Sequence, residues 1–538
     1  MALATQANAE DHPTWEQAMN GPDAEGYWKA VEKEMATLRE KEAWDTVDRE
    51  PWMNVLPGTW AFRCKRYPSG LIKKLKARFC VRGDKQIENV DFFDTFAPVV
   101  NWTTVRLLLI LSIILGLLTR QVDYTAAFVQ APIKEDVYVQ CPRGFADPGK
   151  CLKLNRSLYG LKQSPKTFFE YLKGNLEKCG FQSNDELDPC LFISDKVICL
   201  VYVDDTLFYS PKKEYIDEAI DKLQNECNME LEIEEDVAGF LGVDIQDRRQ
   251  TDGTIKLTQS GLAKRIVEAL NIDHLPKKET PAVREPVVKD EDGDPPQGTY
   301  SYASVIGMMQ YLQGHSRPDI TYVVSSCSRF VHKTRRSHEI ALERIGQYLK
   351  ATMNERLILK PDLDHMDIDC YVDSDYAGLW PWEDKHDPSC VKSRMGFVIC
   401  LANCPLIWAS KLVPDIALST MEAEYSALSI AMKTVLPLQR LINGLAAGIG
   451  MISERLTSFK TTVHEDNAGA LILANLEPGR MTPRSKHYAV KYHWFRNHLK
   501  PNHVEVHKIS TDRQKADIFT KGLRTVKFKA IRRLLCNW

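Results

Sequence analysis

A chain of 538 residues is too long to be organised around one hydrophobic core, so two or three domains are expected. Its 44% hydrophobic and 26% charged content excludes a disordered or fibrous protein, and its formal net charge of -2 confines any nucleic-acid binding to local basic patches. Fourteen cysteines without paired spacing argue against a disulfide framework and suit a reducing intracellular compartment. The closest pair, Cys400 and Cys404, lacks the second pair that a zinc site needs.

The first residues, MALATQANAEDHPTW, lack a basic stretch followed by an apolar one, so no secretory signal is expected. Residues 14–45 read as an amphipathic helix with Trp15, Ala18, Met19, Trp28, Val31, Met35 and Leu38 on its apolar face. Residues 58–82 alternate in polarity around Pro68-Ser69-Gly70 and predict a hairpin. From Phe62 to Lys85 this hairpin is dense in lysine and arginine and carries one acid, Asp84. Such a surface repels itself unless an anion neutralises it, and phosphate is the natural partner.

Helix is expected from about Thr103 to Gly116. The apolar run Leu107–Leu118 (LLLILSIILGLL) falls well short of the roughly 20 residues needed to span a bilayer, and reads as a buried core helix. A strand follows at Thr119–Asp123, and strand character returns at Val197–Tyr209 around an acidic pair. Residues 284–298 (REPVVKDEDGDPPQG) combine proline, glycine and like charges and read as a linker. Helical sequence then runs to about Lys360, and a strand at Ile368–Val372 opens a second α/β unit.

Two groups of acids carry chemistry. Asp204 and Asp205 sit between apolar runs in ICLVYVDDTLFY, so the backbone turns there and presents both at a hairpin tip. Asp123 ends another apolar strand in QVDYTAAF. Phosphoryl transfer by two metal ions needs carboxylates from separate strands converging on cations roughly 4 Å apart, and these three acids supply that set. In the C-terminal part, YVDSD, STMEAEY, HEDN and QKAD place four further acids at strand and helix ends, where they could close around a second two-metal site.

VDYTAAF, SLYGLKQSP and YVDD, in this order, resemble the palm motifs of copia-type reverse transcriptases. ALSTMEAEYSAL, SKHYAVKYHWFR and ADIFTKGL resemble the ribonuclease H domain of the same retrotransposons. The likeness runs over nearly the whole chain. It implies an α+β multidomain protein: a right-hand polymerase of fingers, palm and thumb with an antiparallel palm sheet, then an α/β ribonuclease H-like domain. The boundaries expected are a helical lead-in at 1–50, the polymerase at 51–283, the linker at 284–298, a connection at 299–365 and the ribonuclease H-like domain at 366–538.

The resemblance further implies metal binding by Asp123 and Asp204, with Asp205 in support. It implies triphosphate contacts from Lys76 and Arg78, and an aromatic gate at Phe128 that would exclude a 2′-hydroxyl. Gly160, Gln163, Ser164 and Pro165 fall where the family supports the template base and incoming nucleotide. In the second site it implies Asp373, Glu424, Asp466 and Asp517 as ligands; Glu422, two positions from Glu424, faces elsewhere on its helix. His507 reads as a surface histidine or an aid to proton transfer. The basic tail from Arg480 to Arg533 suits contact with a hybrid backbone.

The cofactor implied is Mg²⁺ or Mn²⁺, two ions per site. The partners implied are an RNA template, a DNA primer, an RNA–DNA hybrid and deoxynucleoside triphosphates, with no membrane. An intracellular location, in a cytoplasmic particle or the nucleus, follows from the resemblance alone. LWPWEDKHDPSCVKSRMGF is longer than the loop expected there, and Tyr124 and Val129 are mild departures. With no Cys-rich knuckle, no early Asp-Thr/Ser-Gly and no room for an integrase, the chain reads as a processed product, a fragment or a truncated frame. An inactive remnant that binds nucleic acid without catalysis is the alternative reading. A host nuclease using only the C-terminal site and a structural scaffold rank behind it.

Overall fold

Gly21 and Pro22 split the expected N-terminal helix in two, because proline has no N–H to continue the hydrogen-bond ladder. In the computed structural model, which describes residues 11–66, 72–184, 188–234, 237, 239–448, 459–480 and 492–538, α1 spans Trp15–Asn20 and α2 spans Ala24–Glu40. Thr14 and Gln17 form a reciprocal capping box on α1. On α2, Tyr27, Val31, Met35 and Leu38 recur at helical spacing and are buried. The chain then turns to strand at β1 (Trp44–Asp48) instead of continuing as helix.

Contacts divide the chain into two compact units that alternate in sequence. Met1–Val100, Gln121–Phe208 and Lys213–Glu234 make the first; Asn101–Arg120, Tyr209–Lys212 and Glu235–Trp538 make the second. In the first, β2 (Val55–Leu56) leads into the hairpin of β3 (Gly58–Arg66) and β4 (Ile72–Val81). The hairpin pairs antiparallel from Gly58↔Val81 to Arg66↔Ile72. The Pro68-Ser69-Gly70 turn lies outside the described residues. Trp60, Phe62, Ala77 and Phe79 on the hairpin share one core with Val31, Met35 and Leu38, so residues 11–48 pack as part of this unit.

After α3 (Trp102–Ile114), which belongs to the second unit, come β5 (Leu118–Tyr124), α4 (Ala127–Gln130), β6 (Tyr138–Gln140) and β7 (Lys150–Leu154). Next are α5 (Ser164–Lys178), β8 (Gln182–Asn184), β9 (Asp188–Ile193), β10 (Ile198–Tyr202), β11 (Asp205–Ser210), α6 (Lys213–Asp221) and β12 (Leu231–Glu234). Six strands form one sheet in the order β12-β5-β11-β10-β9-β8. The pairings of β12 with β5, β10 with β9 and β8 with β9 are antiparallel, as a polymerase palm requires. One face of the sheet is sealed by Phe168, Leu172 and Leu176 of α5 and by Ile216 and Ile220 of α6, packed on Val122, Phe192, Cys199 and Phe208.

In the second unit, β13 (Gly239–Phe240), β14 (Val243–Arg248) and β15 (Thr254–Thr258) are followed by α7 (Ser260–Leu270), α8 (Tyr302–His315), α9 (Thr321–Ser328) and α10 (Arg336–Ala351). β16 (Leu357–Leu359) then returns to pair with β15. The 284–298 segment has neither helix nor strand, but it is fastened: His338 Nε2 lies 2.9 Å from the Val288 carbonyl, and Arg329 donates to that of Val287. α3 is apolar on every side and buried. Within it Arg106 donates to the carbonyls of Leu406 and Gly314 at 2.7 and 2.9 Å and lies over the Trp408 ring. Among the described residues no helix is long and apolar enough to cross a membrane.

The C-terminal part is built on β17 (Ile368–Asp375), β18 (Arg394–Leu401), β19 (Cys404–Leu412), α11 (Thr420–Gly448), β20 (Thr461–Glu465) and β21 (Val504–Lys508). The sheet order is β19-β18-β17-β20-β21, antiparallel on the β18 side and parallel on the β20 side, a mixed sheet consistent with the α/β unit expected there. Cys400 and Cys404 flank the β18–β19 turn as buried apolar groups, paired in register with Pro405 and Leu401, and all fourteen cysteines are free thiols.

A buried ion pair locks this unit. Arg317 bonds Asp319 through two nitrogens at 2.9 and 2.8 Å, and Tyr348 donates to the same carboxylate at 2.6 Å. Burial works against the charge of Asp319, yet Arg317 holds its carboxyl below the usual range. Arg317→Met strands that carboxylate and is expected to cost about 3–5 kcal/mol. The urea midpoint of the full chain should fall accordingly and recover in part when Asp319→Asn is added.

Two candidate carboxylate sites

The first site lies where β5 ends and β10 turns into β11. Val203 takes a left-handed conformation (φ 51°) to make a two-residue connection, a strained choice for a β-branched residue. It presents Asp204 and Asp205 at the tip, and the N–H of Tyr124 donates to the Asp204 carbonyl at 3.2 Å. Asp123, one residue earlier on β5, is thereby set beside the pair. β12 adds two more acids, with Glu232 opposite Asp123 in register.

Burial, then Asp204, then Glu234 raise the Asp123 carboxyl above its ordinary range, while Lys76 pulls it down. Burial and the charges of Asp204 and Asp123 push Asp205 up to about 6, and Gln121 donates to it at 3.4 Å. These shifts mark anionic charge in need of a cation, and an all-carboxylate donor set suits a hard ion such as Mg²⁺. Asp123, Asp204 and Asp205 do not bring ligand atoms as close together as the acids of the second site do. Among the described residues only Asp373, Glu424 and Asp466 bring ligand atoms within 4.8 Å of one another.

Around these acids Phe128, at the start of α4, sits half-buried with its ring edge-on to Tyr159 at 4.7 Å and to Phe168 at 6.1 Å. Arg78 of β4 lies over the other ring of this stack, 4.2 Å from the Tyr159 centroid. Burial pushes the Tyr159 hydroxyl up to about 12, with Asp204 and Asp123 adding to the rise and Arg78 opposing it. Tyr159 is a site residue the sequence did not single out, although it stands in SLYGLKQSP.

The remaining residues of that motif are placed differently from expectation. Gln163 is buried: its Oε1 accepts from Gln86 at 2.9 Å and its Nε2 donates to the Asp91 carbonyl at 2.8 Å, so its amide is used inside the protein instead of on a nucleotide. Gly160 (φ 94°) permits a close approach, but to β4, where an added Cβ would lie 2.1 Å from the Val81 carbonyl oxygen. Ser164 donates to the Leu158 carbonyl at 2.6 Å, and Pro165 sits in the first turn of α5. Together they lock the hairpin to the palm.

The second site is drier. Asp373 on β17 pairs with Gly396 on β18, where an added Cβ would lie 2.6 Å from that of Phe519. The missing side chain lets the turn at Lys515–Phe519 press onto the sheet beside Asp373. Thr520 then donates to Asp373, and Lys521 Nζ sits 3.4 Å from it. Glu424 projects from the first turns of α11, and Asp466 follows β20 and accepts from Thr511 at 2.9 Å. Glu422 is occupied elsewhere, accepting from the Leu418 N–H at 2.9 Å.

Burial and then the charges of Asp373, Glu465 and Asp466 push Glu424 up to about 11, and its Oε2 is buried without a hydrogen-bond partner. Burial likewise raises Asp373 to about 6 and Glu465 to about 8. Glu465, buried next to Asp466 with an unpartnered Oε2, was passed over in the HEDN string in favour of its neighbour. Ligand oxygens of Asp373, Glu424 and Asp466 lie within 4.8 Å of one another, and with the orphaned Oε2 of Glu424 they fit a divalent cation.

Asp517 stands apart from this trio: fully buried, it is ion-paired to Lys521 at 2.7 Å and to Lys527. Lys521 also reaches Asp373, so Asp517 neighbours that carboxylate while lying outside the group of three whose ligand atoms come within 4.8 Å of one another. His507 is exposed on β21 and pairs with Glu505 at 2.8 Å. Of the basic tail, residues 481–491, which include most of SKHYAVKYHWFR, lie outside the described residues.

Residues 41–284 match the family model described as reverse transcriptase (RNA-dependent DNA polymerase). The retrovirus-related Pol polyprotein from transposon RE1 of Arabidopsis thaliana is 30% identical over 98% of this chain and 35% of its own length. That from transposon TNT 1-94 of Nicotiana tabacum is 28% identical over 96% of the chain and 38% of its own. The chain thus spans about a third of the length of the curated relatives it matches. A solved foamy viral protease-reverse transcriptase in complex with double-stranded DNA aligns over 90% of this chain and 69% of its own, with 13% identity and a TM-score of 0.47. Residues 41–284 thus carry a reverse transcriptase domain, and over nearly its whole length the chain is similar to copia-type retrotransposon Pol polyproteins.

Proposed function

We propose that this chain copies RNA into DNA at the Asp123–Asp204–Asp205 site and cleaves the RNA of an RNA–DNA hybrid at the Asp373–Glu424–Asp466 site. One observation carries the polymerase reading: within a reverse transcriptase domain, the Tyr124–Asp204 backbone bond joins the two strand ends that bear the acids. Asp123 and Asp204, with Asp205 in support, would hold Mg²⁺ or Mn²⁺. Bound there, two such ions lower the pKa of a primer 3′-hydroxyl and neutralise the leaving pyrophosphate.

The chain's own groups do the rest. Arg78 and Lys76, on the basic hairpin strand, meet the triphosphate of an incoming deoxynucleotide. Phe128, backed by Tyr159 and Phe168, keeps a bulky ring where a 2′-hydroxyl would have to fit. In the second site Asp373, Glu424 and Asp466 would hold the cations, with Glu465 as a neighbouring acid, and Lys521 and Lys527 keep Asp517 neutralised. The template and primer are RNA and DNA, recognised through phosphates by the basic hairpin and the C-terminal tail.

The test is Mg²⁺-dependent extension of a DNA primer on an RNA template by the full chain, alongside cleavage of labelled RNA in a hybrid. Asp466→Asn is expected to reduce cleavage by two to three orders of magnitude, as an estimate of about 3–4 kcal/mol of lost charge stabilisation, while extension stays within twofold. Loss of both activities together would sink the two-site assignment. No extension by the parent chain would favour an inactive remnant.

A further inference from the structure

The loop between β17 and β18 is placed as if to touch substrate. It leaves β17 two residues after Asp373 and presents Tyr376, Trp380 and Trp382 at 38%, 40% and 54% exposure. Large rings left in water forgo burial, and three of them on one loop that continues the strand bearing Asp373 mark an interaction surface. The loop is not floppy. Trp380 and Trp382 lie in consecutive tight turns, donating to the carbonyls of Ala377 and Leu379, and Leu379 and Cys390 are buried beneath.

A charge clamp fixes the same loop. The Glu383 side chain is fully buried and takes Arg329 from the end of α9 on both oxygens, at 2.9 and 3.2 Å. It also accepts from the Lys289 N–H at 3.1 Å, and the Lys289 side chain pairs with Asp387. A buried carboxylate so fully satisfied specifies one loop position, and that position holds the indoles outward. Lys385 lies 5.9 Å from the Trp380 ring and adds positive charge to the platform.

Exposed indoles next to a cation bind unpaired bases, which offer a free π-face, and bind paired bases poorly because those faces are already stacked. We infer that the 376–392 loop is a stacking platform for single-stranded RNA flanking the hybrid, held beside the Asp373–Glu424–Asp466 site by the Glu383–Arg329 clamp. This deepens the proposed hybrid cleavage and rests on it. The site would then prefer hybrids with an unpaired RNA extension over blunt ones.

The experiment is fluorescence anisotropy with the full chain carrying Asp466→Asn, so that binding is read without cleavage. The probes are a labelled RNA–DNA hybrid, blunt or with an unpaired RNA extension of about six nucleotides. The extended hybrid is expected to bind at least about fivefold more tightly, and Trp380→Ala with Trp382→Ala should abolish that advantage without changing the Kd of the blunt hybrid. Glu383→Gln, which keeps both indoles and loosens their anchor, should lose part of the advantage. Equal binding of the two hybrids, or an advantage that survives the double substitution, overturns the platform. An undiminished advantage in Glu383→Gln overturns the clamp. Failure of the parent chain to cleave any hybrid would instead count against the cleavage reading, whichever way the binding result falls.

Discussion

Replacing Asp204 by Asn is expected to lower primer extension by on the order of a thousandfold while hybrid cleavage stays within twofold of the parent. The amide is isosteric and the main chain keeps its bond to Tyr124, so the hairpin tip should persist. What goes is one negative charge from a cluster in which Asp204 helps raise both Asp123 and Asp205. A metal site deprived of a carboxylate loses several kcal/mol of charge stabilisation, and each 1.36 kcal/mol is tenfold in rate. The titration of Asp205, now at about 6, should also move down toward its ordinary value, readable by NMR of labelled aspartate. Extension that survives Asp204→Asn would remove this carboxylate from the chemistry.

Glu424→Gln should abolish Mg²⁺-dependent cleavage and, without metal, make the protein less sensitive to high pH. Asp373, Glu465 and Glu424 all have folded pKa values above their ordinary ones, at about 6, 8 and 11. The folded state therefore holds protons that the unfolded chain has released, and stability falls with rising pH. The contribution is full below the ordinary carboxylate range and is lost as pH climbs through 6, then 8, then 11. In EDTA the thermal midpoint should thus drop between about pH 5 and pH 9, and Mg²⁺ should restore it by supplying the missing charge. Glutamine at 424 carries no charge at any of these pH values and relieves Glu465 of a like neighbour, so the decline above about pH 8 should flatten. A parent midpoint that is level in EDTA would show that these three acids are not crowded in solution as they are here.

The acids were legible because their strings combine an apolar strand with an abrupt carboxylate, a pattern that places the side chain at a sheet edge whatever the rest of the chain does. Glu424 was separable from Glu422 through the resemblance, which fixes the helix register; the angle between the two positions says only that they face different ways. Gln163 was not legible: its partners, Gln86 and Asp91, are more than seventy residues away, and a polar residue in a motif looks the same whether it faces a ligand or a neighbour. The ion pairs of Asp517 were hidden in the same way, since its partners Lys521 and Lys527 read in sequence as part of a nucleic-acid-binding tail. The antiparallel palm and mixed C-terminal sheet were readable from the order of the motifs. The N-terminal helix break was written plainly in Gly21-Pro22, yet the apolar periodicity on either side masked it.

The burial of α3 has a bearing on how the chain is made. This helix leaves the ribosome apolar on every face, while the carbonyl that Arg106 finally meets lies 300 residues downstream. At roughly 5–20 residues per second, the ribosome needs about 15–60 s to deliver that partner. Throughout that interval a greasy segment with a lone guanidinium waits without its pocket. Fragments ending before Leu406 should therefore aggregate where the full chain does not, and a holdase that shelters α3 should reduce that difference.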